Sequence, residues 1–181
     1  TDEDLIWLEN LIKENNKIIA LGEIGLDYFW VKDNKEKQRT LFKKQLDIAK
    51  KLNLPVIIHS REATQETYDI LKEYNLTGII HCYSGSIEMA KKYVQLGYKL
   101  GIGGVITFKN TKLDEVVSTI DLKDITLETD SPYLAPVPFR GKRNDSRNVK
   151  YIAQKIADVK GLELEEVAKT TYANAKKMKA R

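Results

Sequence analysis

Four short apolar runs, each closed by a residue able to ligate a metal, constrain this chain more than any other feature. The run 17–22 leads into Glu23, 55–58 into His59, 77–80 into His81 and 125–129 into Asp130. β-Branched runs of this length, separated by stretches of helical periodicity, predict buried parallel strands with helices between them. In parallel α/β folds the chemistry gathers beyond the carboxyl ends of the strands. Glu, His, His and Asp delivered there by four strands predict one metal-binding cavity.

Helical patterns fill the intervals. Leu5, Leu8, Leu11 and Ile12 predict a helix over 2–15, capped by Thr1 or Asp2. Further helices are expected over 38–51, around Ala63 to Tyr74, from a Ser86 cap to Gly97, and over 113–120, 148–160 and 163–177, with another strand over 98–106. No linker or repeat interrupts them, so residues 1–181 read as one domain. Five βα units fit either an open doubly wound sheet or part of a TIM-type (β/α) barrel, which needs three strands more. An open sheet serves its site from few strands, whereas a barrel converges many strand ends on one axis. Four ligands from four strands therefore favour the barrel.

Composition excludes little. With 181 residues, 42% hydrophobic and 31% charged, the chain suits a globular domain with a core of its own. No apolar run approaches a membrane span and no signal-peptide pattern opens the chain, so no membrane association is expected. The one cysteine, Cys82, excludes an internal disulfide and suits a reducing cytoplasm, the expected location. The net charge of +4 permits an anionic partner without demanding one. Thr1 stands where an initiator methionine would, which raises the expectation that the natural start lies elsewhere.

Strand alternation places His59 with Arg61, and Glu128 with Asp130, on common sides, and turns Cys82 away from His81. Arg61 then either neutralises Glu128 or binds phosphate. The basic run Arg140, Lys142, Arg143, Arg147 and Lys150 follows Asp130 closely and is placed to steer phosphates toward the site. Tyr83, Phe108, Tyr133 and Phe139 lie on the same rim loops, where aromatic rings can stack on bases. Carboxylates and imidazoles without thiolate suit Mg²⁺, Mn²⁺ or Zn²⁺.

The segments GEIGLDY (22–28), PVIIHSREA (55–63), HCYSGS (81–86), LGIGGVITFKN (100–110) and ETDSPYLAPVPFRGKRN (128–144) resemble, in order, the TatD family of metal-dependent deoxyribonucleases. These are (β/α) barrels of the amidohydrolase superfamily. The resemblance implies Glu23 bridging two divalent metal ions, His59 and His81 as ligands, and Asp130 as ligand and general base. Arg61, Tyr83, Arg140, Arg143 and Asn144 are then the candidate substrate-binding residues, and DNA the substrate, cleaved as by an exonuclease. The family's opening His-x-His motif is missing, because His59 and His81 are the only histidines. That predicts an N-terminally shortened barrel of about five of the eight βα units, with the first three strands absent. No stable protein partner is indicated, although open barrel edges invite self-association. Two competing readings remain: an ester or amide hydrolase on the same barrel, acting for instance on aminoacyl-tRNA, and an inactive remnant that keeps only metal or nucleic-acid binding.

Overall fold

A computed structural model describes residues 1–30 and 33–178, in which five strands alternate with seven α-helices. The chain divides into two compact units, one built on Thr1–Gly78 and the other on Ile79–Lys177.

The first unit opens with α1 (Asp2–Glu14). Thr1 caps it: its hydroxyl accepts from the Asp4 amide, and the Asp4 carboxylate accepts in turn from the Thr1 amine, a reciprocal capping box. Then come β1 (Leu21–Asp27), α2 (Lys35–Lys51), β2 (Val56–Arg61) and α3 (Thr64–Leu71). β1 and β2 pair in parallel, with Gly25 opposite His59 and Asp27 opposite Arg61. Their buried side chains, Leu26, Val56 and Ile58, pack with Phe42, Leu46 and Ala49 of α2 and Leu71 of α3 to form the core of this unit. Each large apolar side chain so buried contributes about 1.5–3 kcal/mol.

The strand starts differ from those expected. β1 begins at Leu21 rather than Lys17, because pairing and not apolarity sets its start. Leu21 donates to the Pro55 carbonyl at 2.9 Å, while Ile19 before it stays 47% exposed. Glu23 therefore lies within β1, not at its end, and the strand runs on to Asp27. A register shift between Leu21 and Ile24 marks the place where Glu23 leaves the regular ladder. Gly25 is held at φ +149°, and a Cβ there would meet the His59 carbonyl oxygen at 1.9 Å. Only glycine lets the two strands close at this rung.

A short strand, β3 (Gly78–Ile80), leads into the second unit. This holds α4 (Ile87–Gln95), β4 (Tyr98–Ile102), α5 (Leu113–Thr119), β5 (Ile125–Leu127), α6 (Val149–Lys160) and α7 (Leu164–Lys176). Ser86 caps α4, accepting from the Met89 amide, as the sequence predicts, and Gly161 ends α6 in the left-handed conformation. β4 and β5 pair in parallel, Leu100 with Ile125 and Ile102 with Leu127. β4 is shorter than the expected 98–106, because the chain turns into a 3₁₀ helix at Gly104–Thr107. Tyr93, Tyr98, Leu100, Ile106, Ile125 and Ile156 fill the core of this unit. Among the described residues no helix is long and apolar enough to cross a membrane.

Candidate metal-binding and catalytic site

The four predicted ligands divide evenly, Glu23 and His59 in the first unit, His81 and Asp130 in the second. Each unit builds the same small constellation around its histidine. On β2, His59 presents Nδ1 to Glu23 Oε1 at 2.7 Å and Nε2 to Asp27 Oδ2 at 3.2 Å. Just beyond β3, His81 presents Nδ1 to Glu128 Oε2 at 3.0 Å and Nε2 to Asp130 Oδ1 at 3.6 Å. Every imidazole nitrogen in the chain thus faces a carboxylate oxygen.

Such facing groups must balance their protons. A neutral imidazole carries one N–H, so it can donate to only one of its two carboxylates. In each unit two carboxylates and one imidazole, all oxygen and nitrogen donors, suit a hard or borderline divalent ion. Among the described residues no three His, Cys, Asp or Glu side chains already surround a common metal-sized centre. The donors meet one another directly instead.

Local structure fixes these side chains. Gln38, in the first turns of α2, grips Asp27 at both ends of its backbone: its Oε1 accepts from the Asp27 amide and its Nε2 donates to the Asp27 carbonyl, both at 2.8 Å. In the second unit, Glu128 uses its other oxygen to accept from the Cys82 amide at 2.9 Å. Room for the Glu128 carboxylate exists because residue 101 is glycine: a Cβ there would stand 2.3 Å from Oε2. Cys82 and Asp130 sit at φ +45° and +53°, left-handed backbone that non-glycine residues seldom adopt and that gathers at functional sites. Since β3 stops at Ile80, strand alternation does not reach Cys82 and does not decide where its thiol faces.

Of the predicted substrate-binding residues, two are buried in their loops. Tyr83 is buried, its ring edge-on to Tyr93 with centroids 6.3 Å apart and its hydroxyl donating to the Ser86 carbonyl. Burial pushes its pKa well up. It braces the loop after His81 and offers no open face to a base. Asn144 is also buried: its amide donates to the carbonyls of Thr129 (2.7 Å) and Tyr133 (2.6 Å), and its oxygen accepts from the Asp145 amide and from Asn148. It holds the loop that carries Asp130. Arg140 is exposed but lies over the Phe108 ring, 3.6 Å from its centroid, and Arg143 is exposed. Arg61 lies over Phe29 at 3.8 Å, so stacking, rather than alternation along β2, sets its direction.

Asp27, Gln38 and Gly101 are members of the site absent from the predicted set, and Glu128 is placed there beside Asp130 but not among the ligands. Asp27 is signalled by its spacing from Glu23, since i and i+4 share a strand face. Glu128 is signalled likewise by its spacing from Asp130. Gln38 carries no signal, because a polar residue near a helix start looks like any solvated position.

In class, then, the chain is a parallel α/β protein with an imidazole–carboxylate cluster in each of its two units. It belongs to the TatD family: the family model described as TatD related DNase matches residues 1–179, across both units. It is 45% identical to the uncharacterized metal-dependent hydrolase YabD of Bacillus subtilis, over 98% of this chain and 71% of that protein. To the uncharacterized metal-dependent hydrolase YcfH of Escherichia coli it is 40% identical, over 87% of this chain and 61% of that protein. Among solved structures, the TatD homologue YjjV of E. coli superposes with TM-score 0.95 at 33% identity, covering 100% of this chain and 71% of YjjV. A TatD family hydrolase from Entamoeba histolytica superposes with TM-score 0.85 at 25% identity, over 97% of this chain and 68% of that one. The expected TatD-type α/β fold is therefore borne out. The expectation that three strands are missing ahead of Glu23 is not borne out by these matches.

Proposed function

We propose that this chain carries the site of a divalent-metal-dependent hydrolase whose substrate is the phosphodiester backbone of DNA, attacked at exposed ends. The observation that supports it most is the repeated constellation itself, an imidazole between two carboxylates in each unit. These clusters offer only oxygen and nitrogen donors, and the curated relatives are named as metal-dependent hydrolases. Glu23, Asp27 and His59 in the first unit, and His81, Glu128 and Asp130 in the second, are the groups that would hold the metal. Divalent cations there would supply Lewis acidity and screen the charge of the diester.

The chain's own groups do the rest. Asp130 takes the proton from the attacking water: its carboxylate is partly exposed, and its left-handed backbone, held by Asn144 through Thr129, fixes its position. Glu128 orients His81 through Nδ1. Lys142 and Arg143, exposed on the loop after Asp130, attract the strand through its phosphates.

The test is nucleotide release from end-labelled single-stranded DNA with Mg²⁺ or Mn²⁺, comparing the chain with Asp130→Asn. Metal-dependent release, lost in the variant while DNA binding persists, is the expected result. Release insensitive to chelation would overturn the reading. Hydrolysis confined to esters or amides would move the assignment to the competing hydrolase class.

A further inference from the structure

The turn that follows Asp27 carries an aromatic cluster that the proposed chemistry does not use. Trp30 is 73% exposed and Phe29 is 41% exposed. Their rings meet edge to face, with centroids 4.7 Å apart. The Arg61 guanidinium lies 3.8 Å from the Phe29 centroid and 5.4 Å from that of Trp30. An indole left this open contributes little to a core, so packing does not explain its place.

The turn beneath these rings is fixed. Phe29 donates its amide to Asp27 Oδ1 at 2.9 Å, Tyr28 donates its amide to the Arg61 carbonyl at 3.0 Å, and the buried Tyr28 ring is anchored by its hydroxyl on Glu66. Asp27 meanwhile holds His59 with its other carboxylate oxygen. The exposed rings are thus tied, through one carboxylate, to the His59 cluster of the first unit. Arg61 is tied to it as well, two residues beyond His59 on β2 and paired with Asp27 in the ladder.

We propose that Trp30, Phe29 and Arg61 form a stacking platform for an unpaired base of a nucleic-acid strand whose phosphate is engaged beside it. This rests on the phosphodiester reading above and deepens it by naming the residues that would hold a base, by stacking rather than by its edges. A nucleotide offers what the cluster takes, a flat π face next to an anionic phosphate. A guanidinium stacked on a ring keeps its in-plane donors for that phosphate. Stacking tolerates every base, so the platform confers strand type and not sequence.

The experiment uses the full chain in a Trp7→Phe background, where Trp30 is the only tryptophan. The chain is titrated, without metal, with a short oligothymidylate and with an abasic strand carrying the same number of phosphates. The oligothymidylate should quench the Trp30 fluorescence and bind roughly tenfold more tightly than the abasic strand, the order expected of one stacked base. By anisotropy of labelled strands, Trp30→Ala should erase that preference and leave abasic binding unchanged, while Trp30→Phe should keep part of it. Equal affinity for the two strands, a preference that survives Trp30→Ala, or no binding by the unmutated chain would each overturn the platform. Hydrolysis of a small base-free diester by the same preparations reports separately on the phosphodiester reading. Its loss in every preparation would sink that reading instead.

Discussion

At residue scale, the site depends on side chains that touch no substrate. Gly101 is the sharpest case. A methyl group there falls 2.3 Å from Glu128 Oε2, so Gly101→Ala must push that carboxylate off His81 Nδ1 or displace the strand. Residues that orient a ligating histidine are typically worth roughly 10- to 100-fold in metal affinity or activity. We expect a loss of that size with an unchanged circular dichroism spectrum. Undiminished Mn²⁺-dependent hydrolysis in this variant would show that Glu128 is not needed where it sits. Gln38→Ala is expected to be milder on folding, since it removes three hydrogen bonds at about 1 kcal/mol each, two from the half-buried Asp27 backbone and one donated to Asn34 Oδ1. Its effect on hydrolysis should exceed its effect on the urea midpoint, because two of the three bonds fix Asp27.

At the scale of elements, the helices were legible and the strand limits were not. Amphipathic spacing and the caps at Thr1, Ser86 and Gly161 locate helix ends to within a few residues, because both signals are local. A strand's extent depends on what lies beside it: β1 starts where Pro55 offers a carbonyl and runs through Glu23 because the register shifts there. That the histidines and Asp130 stand on or just after strands could be read. The burial of Tyr83 and Asn144 could not, since it follows from how their loops fold back on themselves. The link between α2 and α3 gives a test at this scale. Burial opposes the charge on Glu66, but hydrogen bonds from Tyr28 and Arg39 outweigh it and hold the carboxyl below the usual glutamate range. A pKa lowered by folding stabilises above the unfolded value and loses that contribution as pH falls through the folded one. The difference in Tm between the chain and Glu66→Gln should therefore shrink on acidification below the glutamate range. A difference that stays constant with pH would mean that the charge of Glu66 contributes nothing.

At the scale of the whole molecule, the proposed DNA substrate would be met through charge. The chain carries +4 overall, and the segment beyond Asp130 concentrates exposed cations. Arg140 covers Phe108 and Arg147 is held by Asp145, so neither is a clean probe of phosphate binding. Lys142 and Arg143 are. Reversing both to Glu should weaken single-strand binding and lower the slope of log affinity against log salt by about 0.7 for each phosphate no longer neutralised. The turnover rate at saturating DNA should change little. An unchanged salt slope would place the strand elsewhere on the molecule.

Heat should separate what the sheet holds from what a side chain holds. Asp27 is kept in place by the amide of Gln38, reaching from the start of a helix, and such ends fray before cores melt. On slow warming, catalytic competence should therefore fade at a lower temperature than ellipticity does, and return on cooling as long as the core has not opened. The chain would then be a protein with two thermometers, the lower one set by a single glutamine.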